Sequence, residues 1–291
     1  MKNSNKLFIW NVLSLFLFSS LFMISFSNAQ EYGMESDDGY NANSVRPVNE
    51  SHIMFQKSLW HRVLLNQKQN QPFFAEDNEI TKHIIDGVKR GIITPYRNDS
   101  LQTRMSQEDF LANIELPSEP VMICYDDMED WGGDITGENN WGGNIAGEAE
   151  YLNEYYPKQL DILEIKTHVF FDKTRNRMIN DIQSITIILP ADLNPSTGLE
   201  RPIATFSYKD LVQNLFRDNS SAIHYNERNR QGNLNLEEAF DLMLANGTLI
   251  KYANGRNEHI MDMYDDQREA LLAAQNYQAN MVEYESNLWE N

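Results

Sequence analysis

Apolar and polar residues alternate most regularly between Leu160 and Leu189. The first half of this stretch alternates from Leu163 to Phe171, which is the period of a half-buried strand. A polar turn follows at residues 172–177, and the second half ends in a β-branched run just before Pro190. Such a run stopping at a proline is typical of a strand that enters a core. The pattern predicts a central antiparallel hairpin against which flanking helices pack.

The rest of the chain shows mainly helical periodicity, interrupted by short extended runs. A capping residue precedes several of the predicted helices, namely Ser106, Ser207 and Asn235. Helices are predicted at Ser51–Asn70, at Asn78–Arg90 up to Gly91, after Ser106, after Ser207, from Asn235 to Gly247 and at Asn257–Leu288. Further strands are predicted at Val121–Tyr125 and Ile203–Phe206. The predicted fold class is α+β: a central antiparallel hairpin or small sheet packed by several helices, with a long, partly exposed C-terminal helix.

The N-terminus has the three parts of a secretory signal peptide. Lys2 and Lys6 precede an apolar run from Leu7 to Phe26, and the small residues of Ser27–Ala29 follow. The apolar run is long enough to span a membrane, so a retained anchor is the alternative. Serines and an asparagine interrupt the run, which favours cleavage after Ala29. We therefore expect an exported, soluble protein.

Composition sets the domain organisation and limits the partners. We predict a signal peptide at 1–29, a flexible polar leader at 30–50 and one α+β domain at 51–291, with an acidic insertion at 126–150. The formal net charge of −19 argues against nucleic acid and against an anionic membrane surface. Cys124 is the only cysteine, so an intramolecular disulfide is excluded.

The acidic insertion contains a short repeat. Trp131–Glu138 recurs as Trp141–Glu148, which places two tryptophans on a glycine-rich loop. Aromatic faces suit the apolar faces of sugars. The acids from Asp127 to Glu138 also approach the spacing of a calcium loop, although Trp131 occupies its fifth position and cannot be a ligand. A carbohydrate- or calcium-binding module is therefore an alternative function.

Catalytic motifs give little support to an enzyme. The sequence has no Gly-x-Ser-x-Gly, His-Glu-x-x-His, Walker or Gly-x-Gly-x-x-Gly motif. Its six histidines lack the spacing of metal ligands, and Cys124 has no basic neighbour in sequence to lower its pKa. We expect no catalytic residues, no metal and no cofactor. A periplasmic enzyme of unrecognised type stays open as a second alternative.

Several stretches, in order along the chain, resemble the GldN/PorN gliding-motility family. They are Trp60–Leu64 with Asn70–Phe74, Gly91–Tyr96, Phe171–Arg175 with Met178, and the ending Glu283–Glu290. Asp181 and Ser184 depart from the pattern, because a basic residue and a glycine are expected there. The Trp-Gly-Gly repeat has no counterpart in the family pattern.

The resemblance implies a structural role without bond chemistry. Proteins of this family belong to the type IX secretion machinery of Bacteroidota. The family's role implies a periplasmic subunit that self-associates in a ring beneath the outer membrane with a GldK/PorK-type lipoprotein and contacts a GldM/PorM-type motor subunit. The candidate partner-binding residues are Trp60, Arg62, Phe171, Asp172, Lys173, Trp131, Trp141 and Trp289. Core packing is an equal alternative for Trp60 and Phe171, and turn formation is one for Asp172 and Lys173.

Overall fold

A computed structural model describes residues 39–41, 43–116, 154–194, 197–217, 219–226, 229 and 232–289. The strands are β1 Ile53–Leu64, β2 Phe74–Ala75, β3 Asn78–Glu79, β4 Ile162–Asp172, β5 Arg177–Leu189, β6 Arg201–Ser207, β7 Ile223–His224, β8 Leu234–Asn235 and β9 Gly247–Tyr252. The helices are α1 Ile80–Lys89, α2 Gln107–Ile114, α3 Tyr208–Leu211, α4 Leu236–Asp241, α5 Ile260–Met263 and α6 Gln267–Trp289. A π-helix, Val212–Phe216, continues α3.

The centre of the fold is a five-stranded antiparallel sheet in the order β6-β5-β4-β1-β9. The predicted hairpin is confirmed as β4 and β5, which pair from Ile162 opposite Ile188 to Asp172 opposite Arg177. Pro190 follows the last residue of β5, as expected. With helices packed on this sheet and a long helix at the C-terminus, the α+β prediction is confirmed.

The helix predicted at Ser51–Asn70 is wrong, because this segment forms the twelve-residue strand β1. Strand β1 lies between β4 and β9, so ladder hydrogen bonds on both edges replace those of a helix. Its apolar residues point to both faces of the sheet: Leu59 and Val63 lie on one face and Trp60 lies on the other. A strand buried on both faces lacks simple alternation, so its pattern resembled a helical stripe.

The predicted caps are confirmed at three helices. The side chains of Ser106, Ser207 and Asn235 accept hydrogen bonds from backbone N–H groups in the first turns of α2, α3 and α4, at 3.1, 3.5 and 2.9 Å. Gly91 follows the end of α1 in the left-handed region, with φ of 70°. Local capping chemistry therefore placed these helix ends well.

Two predicted helix boundaries are wrong. Helix α4 ends at Asp241, and Gly247 opens the outer strand β9 instead of closing the helix. A Cβ at Gly247 would lie 2.9 Å from Val63 Cγ2, so this edge strand needs glycine to approach β1. The helix expected at Asn257–Leu288 is two helices, because Tyr264 is extended and Asp266 accepts a hydrogen bond from the N–H of Arg268 at 3.2 Å.

Two apolar clusters cover one face of the sheet. The larger joins β1, β4, β5 and β6 to α1, α2, α3, α4 and the π-helix. The smaller surrounds Leu59, Val169 and Leu249 and is closed by Ile260, Ala270 and Ala274 of α5 and α6. Helix α6 therefore lies on the sheet beside the main core, and it keeps much of its surface exposed.

The C-terminal end of the predicted leader packs against the rest of the protein. Ser44 and Val48 are buried, and the N–H of Glu50 donates to the carbonyl of Gly39 at 2.9 Å. The Ser44 hydroxyl donates to Asp181 on β5. This segment therefore contacts the sheet where β5 extends past the end of β6.

Candidate interaction surfaces

Trp60 lies between two lysines on the polar face of the sheet. Its cross-strand partners are Lys166 on β4 and Lys251 on β9. Their ammonium groups lie 5.2 and 4.7 Å from the indole ring, and the indole N–H donates to Asp99 at 3.0 Å. Trp60 as a whole is 7% exposed. Cation–π contacts and one hydrogen bond thus hold Trp60 in place, and little of it is free to contact a partner.

Arg62 lies two residues further on the same face. Its guanidinium forms an ion pair with Glu200 at 2.8 Å, and both side chains are about one-third exposed. Its cross-strand partner is Glu164, whose pKa is raised by burial although His259 and Arg62 favour the charged form. Because Glu200 already pairs with it, the Arg62 guanidinium would present only a partly neutralised charge to another protein.

Phe171, Asp172 and Lys173 form the start of the β4–β5 turn. Phe171 is buried and Lys173 is exposed. The Asp172 carboxylate is buried and accepts hydrogen bonds from the N–H groups of Thr174 and Arg175 at 2.8 and 3.3 Å and from the Arg175 guanidinium at 3.1 Å. Burial alone would raise the pKa of Asp172, but these donors together hold it below its ordinary value. Among these three residues, Asp172 has the surroundings of a turn-forming residue.

For the three other candidate tryptophans, no side-chain contacts are described. Trp131 and Trp141 lie outside the described residues, as do the acids of the possible calcium loop and Cys124. Trp289 is the last residue of α6. The structure therefore brings Trp60 and Arg62 together on one sheet face, places Phe171, Asp172 and Lys173 in the hairpin turn, and puts Trp289 at a helix end.

Sequence reasoning missed an exposed apolar turn after α4. Leu242, Met243 and Leu244 are 61, 47 and 39% exposed, and Met243 has a φ of 54°. Beside them lies a cavity of about 400 Å³, open to solvent, whose lining includes His61 of β1 and Gln278 of α6. Contiguous exposed apolar side chains often mark a surface that contacts another molecule. The run Leu242–Leu244 was visible in the sequence, but it read as the inside of a helix predicted to continue to Gly247.

Helix α6 is the second surface with exposed apolar groups. Its inner side packs through Ala270 and Ala274, and the Tyr284 ring, although 41% exposed, lies with its centroid 4.9 Å from that of Phe55. Glu285 on the same helix accepts a hydrogen bond from the N–H of Met178 at 3.1 Å. The apolar side chains of α6 that are exposed away from these contacts are Leu271, Leu272 and Val282. The helix is thus fixed on the sheet along one side and open along the other.

One buried carboxyl group, that of Asp181, lines a separate cavity of about 280 Å³ whose lining also includes Met243 of the apolar turn. Asp181 on β5 is 8% exposed, and burial raises its pKa to about 6 although hydrogen bonds from Ser44 and Gln183 favour its charged form. Those donors lie 2.9 and 2.6 Å from its oxygens. Asp241 lines the same cavity and burial raises its pKa as well, but it pairs with Arg46. Neither carboxyl group is a cause of the other's shift, so the two do not form a coupled acid–base pair.

The described ranges hold no candidate metal cluster and no candidate membrane-spanning helix. Within them, no group of three or more histidine, cysteine, aspartate or glutamate side chains is arranged to hold a metal ion. None of the helices in the same ranges combines the length and the apolar character that crossing a bilayer requires. The features that the geometry does provide are exposed apolar surfaces on a rigid sheet-and-helix frame.

The fold defines a class: an α+β protein built on a five-stranded antiparallel sheet, with exposed apolar surfaces in its described part. The family described as gliding motility associated protein GldN matches residues 48–290. This match spans most of the chain, and the protein belongs to the GldN family. Among curated proteins, none matches the chain.

Proposed function

We propose that this protein is a periplasmic structural subunit of the type IX secretion and gliding machinery. Its signal peptide directs export and is cleaved after Ala29. In this proposal it self-associates in a ring under the outer membrane. A GldK/PorK-type lipoprotein holds the ring there, and a GldM/PorM-type motor subunit contacts it. The single observation that carries the proposal is membership of a gliding motility family over residues 48–290.

The geometry supports an assembly role in one respect. A ring subunit needs two different faces that meet head to tail. The Leu242–Leu244 turn is a compact apolar surface, and Met243 in the left-handed region gives it a defined backbone shape. We assign this turn to a contact within the ring, because its apolar area beside an open cavity can receive a side chain from a neighbouring subunit.

The test is purification of the tagged protein from gently solubilised envelopes, followed by size analysis and identification of what accompanies it. We expect a very large complex that contains an outer-membrane lipoprotein. Leu242→Gln should shift the protein to smaller species, because it removes exposed apolar area from the proposed contact. Leu199→Gln is the matched control: Leu199 is 69% exposed but lies in the β5–β6 connection.

Two outcomes would contradict the proposal at different levels. A lone monomer from the wild-type envelopes would refute the ring. A large complex that survives Leu242→Gln unchanged would keep the ring and refute the assignment of the turn.

A further inference from the structure

A groove of about 410 Å³ lies between β9, α5 and α6. We call it the tyrosine groove, and its lining includes Tyr252, Tyr264, Leu272, Asn276, Tyr277 and Asn280. It lies on the side of α6 away from the Leu242–Leu244 turn, because the cavity beside that turn reaches α6 at Gln278. The two surfaces therefore share a helix but have different linings.

The floor of the tyrosine groove is preformed by contacts within the chain. The rings of Tyr252 and Tyr277 stack with centroids 4.4 Å apart and planes 14° from parallel. The Lys57 ammonium lies 5.1 Å from the Tyr277 ring, and the Tyr252 hydroxyl contacts the sulfur of Met263 at 3.7 Å. Above this floor, Tyr264 and Leu272 are 42 and 49% exposed. A preformed aromatic floor with exposed apolar walls favours binding, because little ordering is lost when a ligand enters.

Two amides line the same groove at a spacing that suits an extended peptide. Asn276 and Asn280 are exposed and one helical turn apart, which corresponds to a rise of about 6 Å. In an extended chain, residues i and i+2 are about 6.7 Å apart and present their backbone groups to the same side. Because a carboxamide both donates and accepts, the two asparagines can pair with successive backbone groups on one edge of such a chain.

The charge around the groove selects among possible occupants. Between Ile260 and Trp289 the chain carries six carboxylates and one arginine, and one carboxylate, Glu269, lines the groove. The nearby Lys57 ammonium lies against the Phe55 and Tyr277 rings and is not part of the lining. A second copy of this acidic chain would meet like charge there. A segment with lysine or arginine beside its apolar residues would meet opposite charge, which increases both its association rate and its specificity.

We propose that the tyrosine groove binds an extended segment of another protein in which basic residues flank apolar ones. The apolar side chains lie against Tyr264 and Leu272, the backbone pairs with Asn276 and Asn280, and a basic side chain faces Glu269. This proposal goes beyond the ring assignment and does not depend on it, since the groove is formed by a single chain.

The experiment is a fluorescence anisotropy titration of the exported chain, Gln30 to Asn291, with a labelled ten-residue peptide. The probe has two lysines at each end and a Leu-Pro-Val-Thr-Leu-Pro core, whose prolines prevent helix formation. We expect saturable binding that weakens at least about tenfold in Leu272→Ala. Leu271→Ala is the matched control: Leu271 and Leu272 are neighbours with 47 and 49% exposure, but only Leu272 lines the groove. The control should bind like the wild type.

Two further probes test the chemistry of the occupant. A peptide with glutamates in place of the lysines should bind at least about tenfold more weakly. A peptide with alanines in place of the prolines, free to form a helix, should not bind more tightly than the original. The proposal is overturned by the absence of saturable binding up to about 1 mM, by equal loss in both leucine variants, by tighter binding of the helical probe, or by self-association of the chain that Leu272→Ala abolishes.

Discussion

Replacing Asp181 with asparagine should stabilise the protein at neutral pH. The carboxyl group is 8% exposed, and its pKa is raised to about 6 from an ordinary value of 3.8. Burial is the main cause, and it outweighs hydrogen bonds from Ser44 and Gln183. A third donor, the Asn41 amide, lies 3.3 Å from the same group. The charged form is therefore less stable in the folded protein than in water, despite these donors.

The size and the sign of the effect follow from linkage. A rise of about two pH units in the pKa corresponds to about 3 kcal/mol. Below about pH 4 the group is protonated in both the folded and the unfolded chain, so it costs nothing. Between about pH 4 and 6 the unfolded chain loses this proton first. The free energy of unfolding therefore falls by about 3 kcal/mol as the pH rises through that window, and the loss persists at pH 7.

The assay is urea unfolding of the wild type and Asp181→Asn, followed by tryptophan fluorescence at several pH values from about 4 to 7.5. The variant should gain up to about 3 kcal/mol relative to the wild type at pH 7 and much less near pH 4, because asparagine does not titrate. Asp265→Asn, at an exposed site between α5 and α6, is the control for removing one negative charge. A difference that does not change with pH, or a variant less stable at pH 7, would refute the reasoning.

Three other substitutions test local features of the fold. Asp172→Ala should lower the free energy of unfolding by about 1–3 kcal/mol at pH 7, because it removes the acceptor of the turn's N–H groups. This loss should become smaller as the pH falls through the lowered pKa of Asp172. Urea unfolding at two pH values measures the loss and its pH dependence. Gly247→Ala should destabilise by about 1–3 kcal/mol, since the added Cβ would lie 2.9 Å from Val63 and 3.0 Å from the Arg62 carbonyl; a thermal melt unchanged from the wild type would contradict this. Asn235→Ala should cost about 1 kcal/mol through loss of the α4 cap, measured against Asn235→Ser, which keeps a capping oxygen.

Local chemistry predicted the hairpin and the caps because each depends on few residues. The β4–β5 pair shows alternation, a polar turn and a terminal proline within thirty residues, and Asn235 needs only its neighbours to cap α4. Strand β1 is different. Its partners β4 and β9 lie about 100 and 190 residues away, and only their pairing makes this segment a strand.

The candidate residues show the same division. Asp172 could be predicted as a turn residue, since an aspartate before a polar turn bonds its own backbone. The lysines beside Trp60 could not, because Lys166 and Lys251 meet it only through the register of three strands. The Leu242–Leu244 turn was hidden for a related reason: the sequence gives no sign that Met243 adopts a left-handed backbone and ends α4 early.

Helix α6 connects these observations to the proposed assembly role. It is anchored through small residues, Ala270 and Ala274, which let it lie close to the sheet but bury little apolar area. A helix retained only to complete the core would turn its leucines inward, whereas Leu271 and Leu272 are about half exposed. With the apolar turn on one side of it and the tyrosine groove on the other, α6 separates two surfaces of different chemistry. In the proposed assembly, two such surfaces would let one subunit contact a neighbour through one face and a different partner through the other.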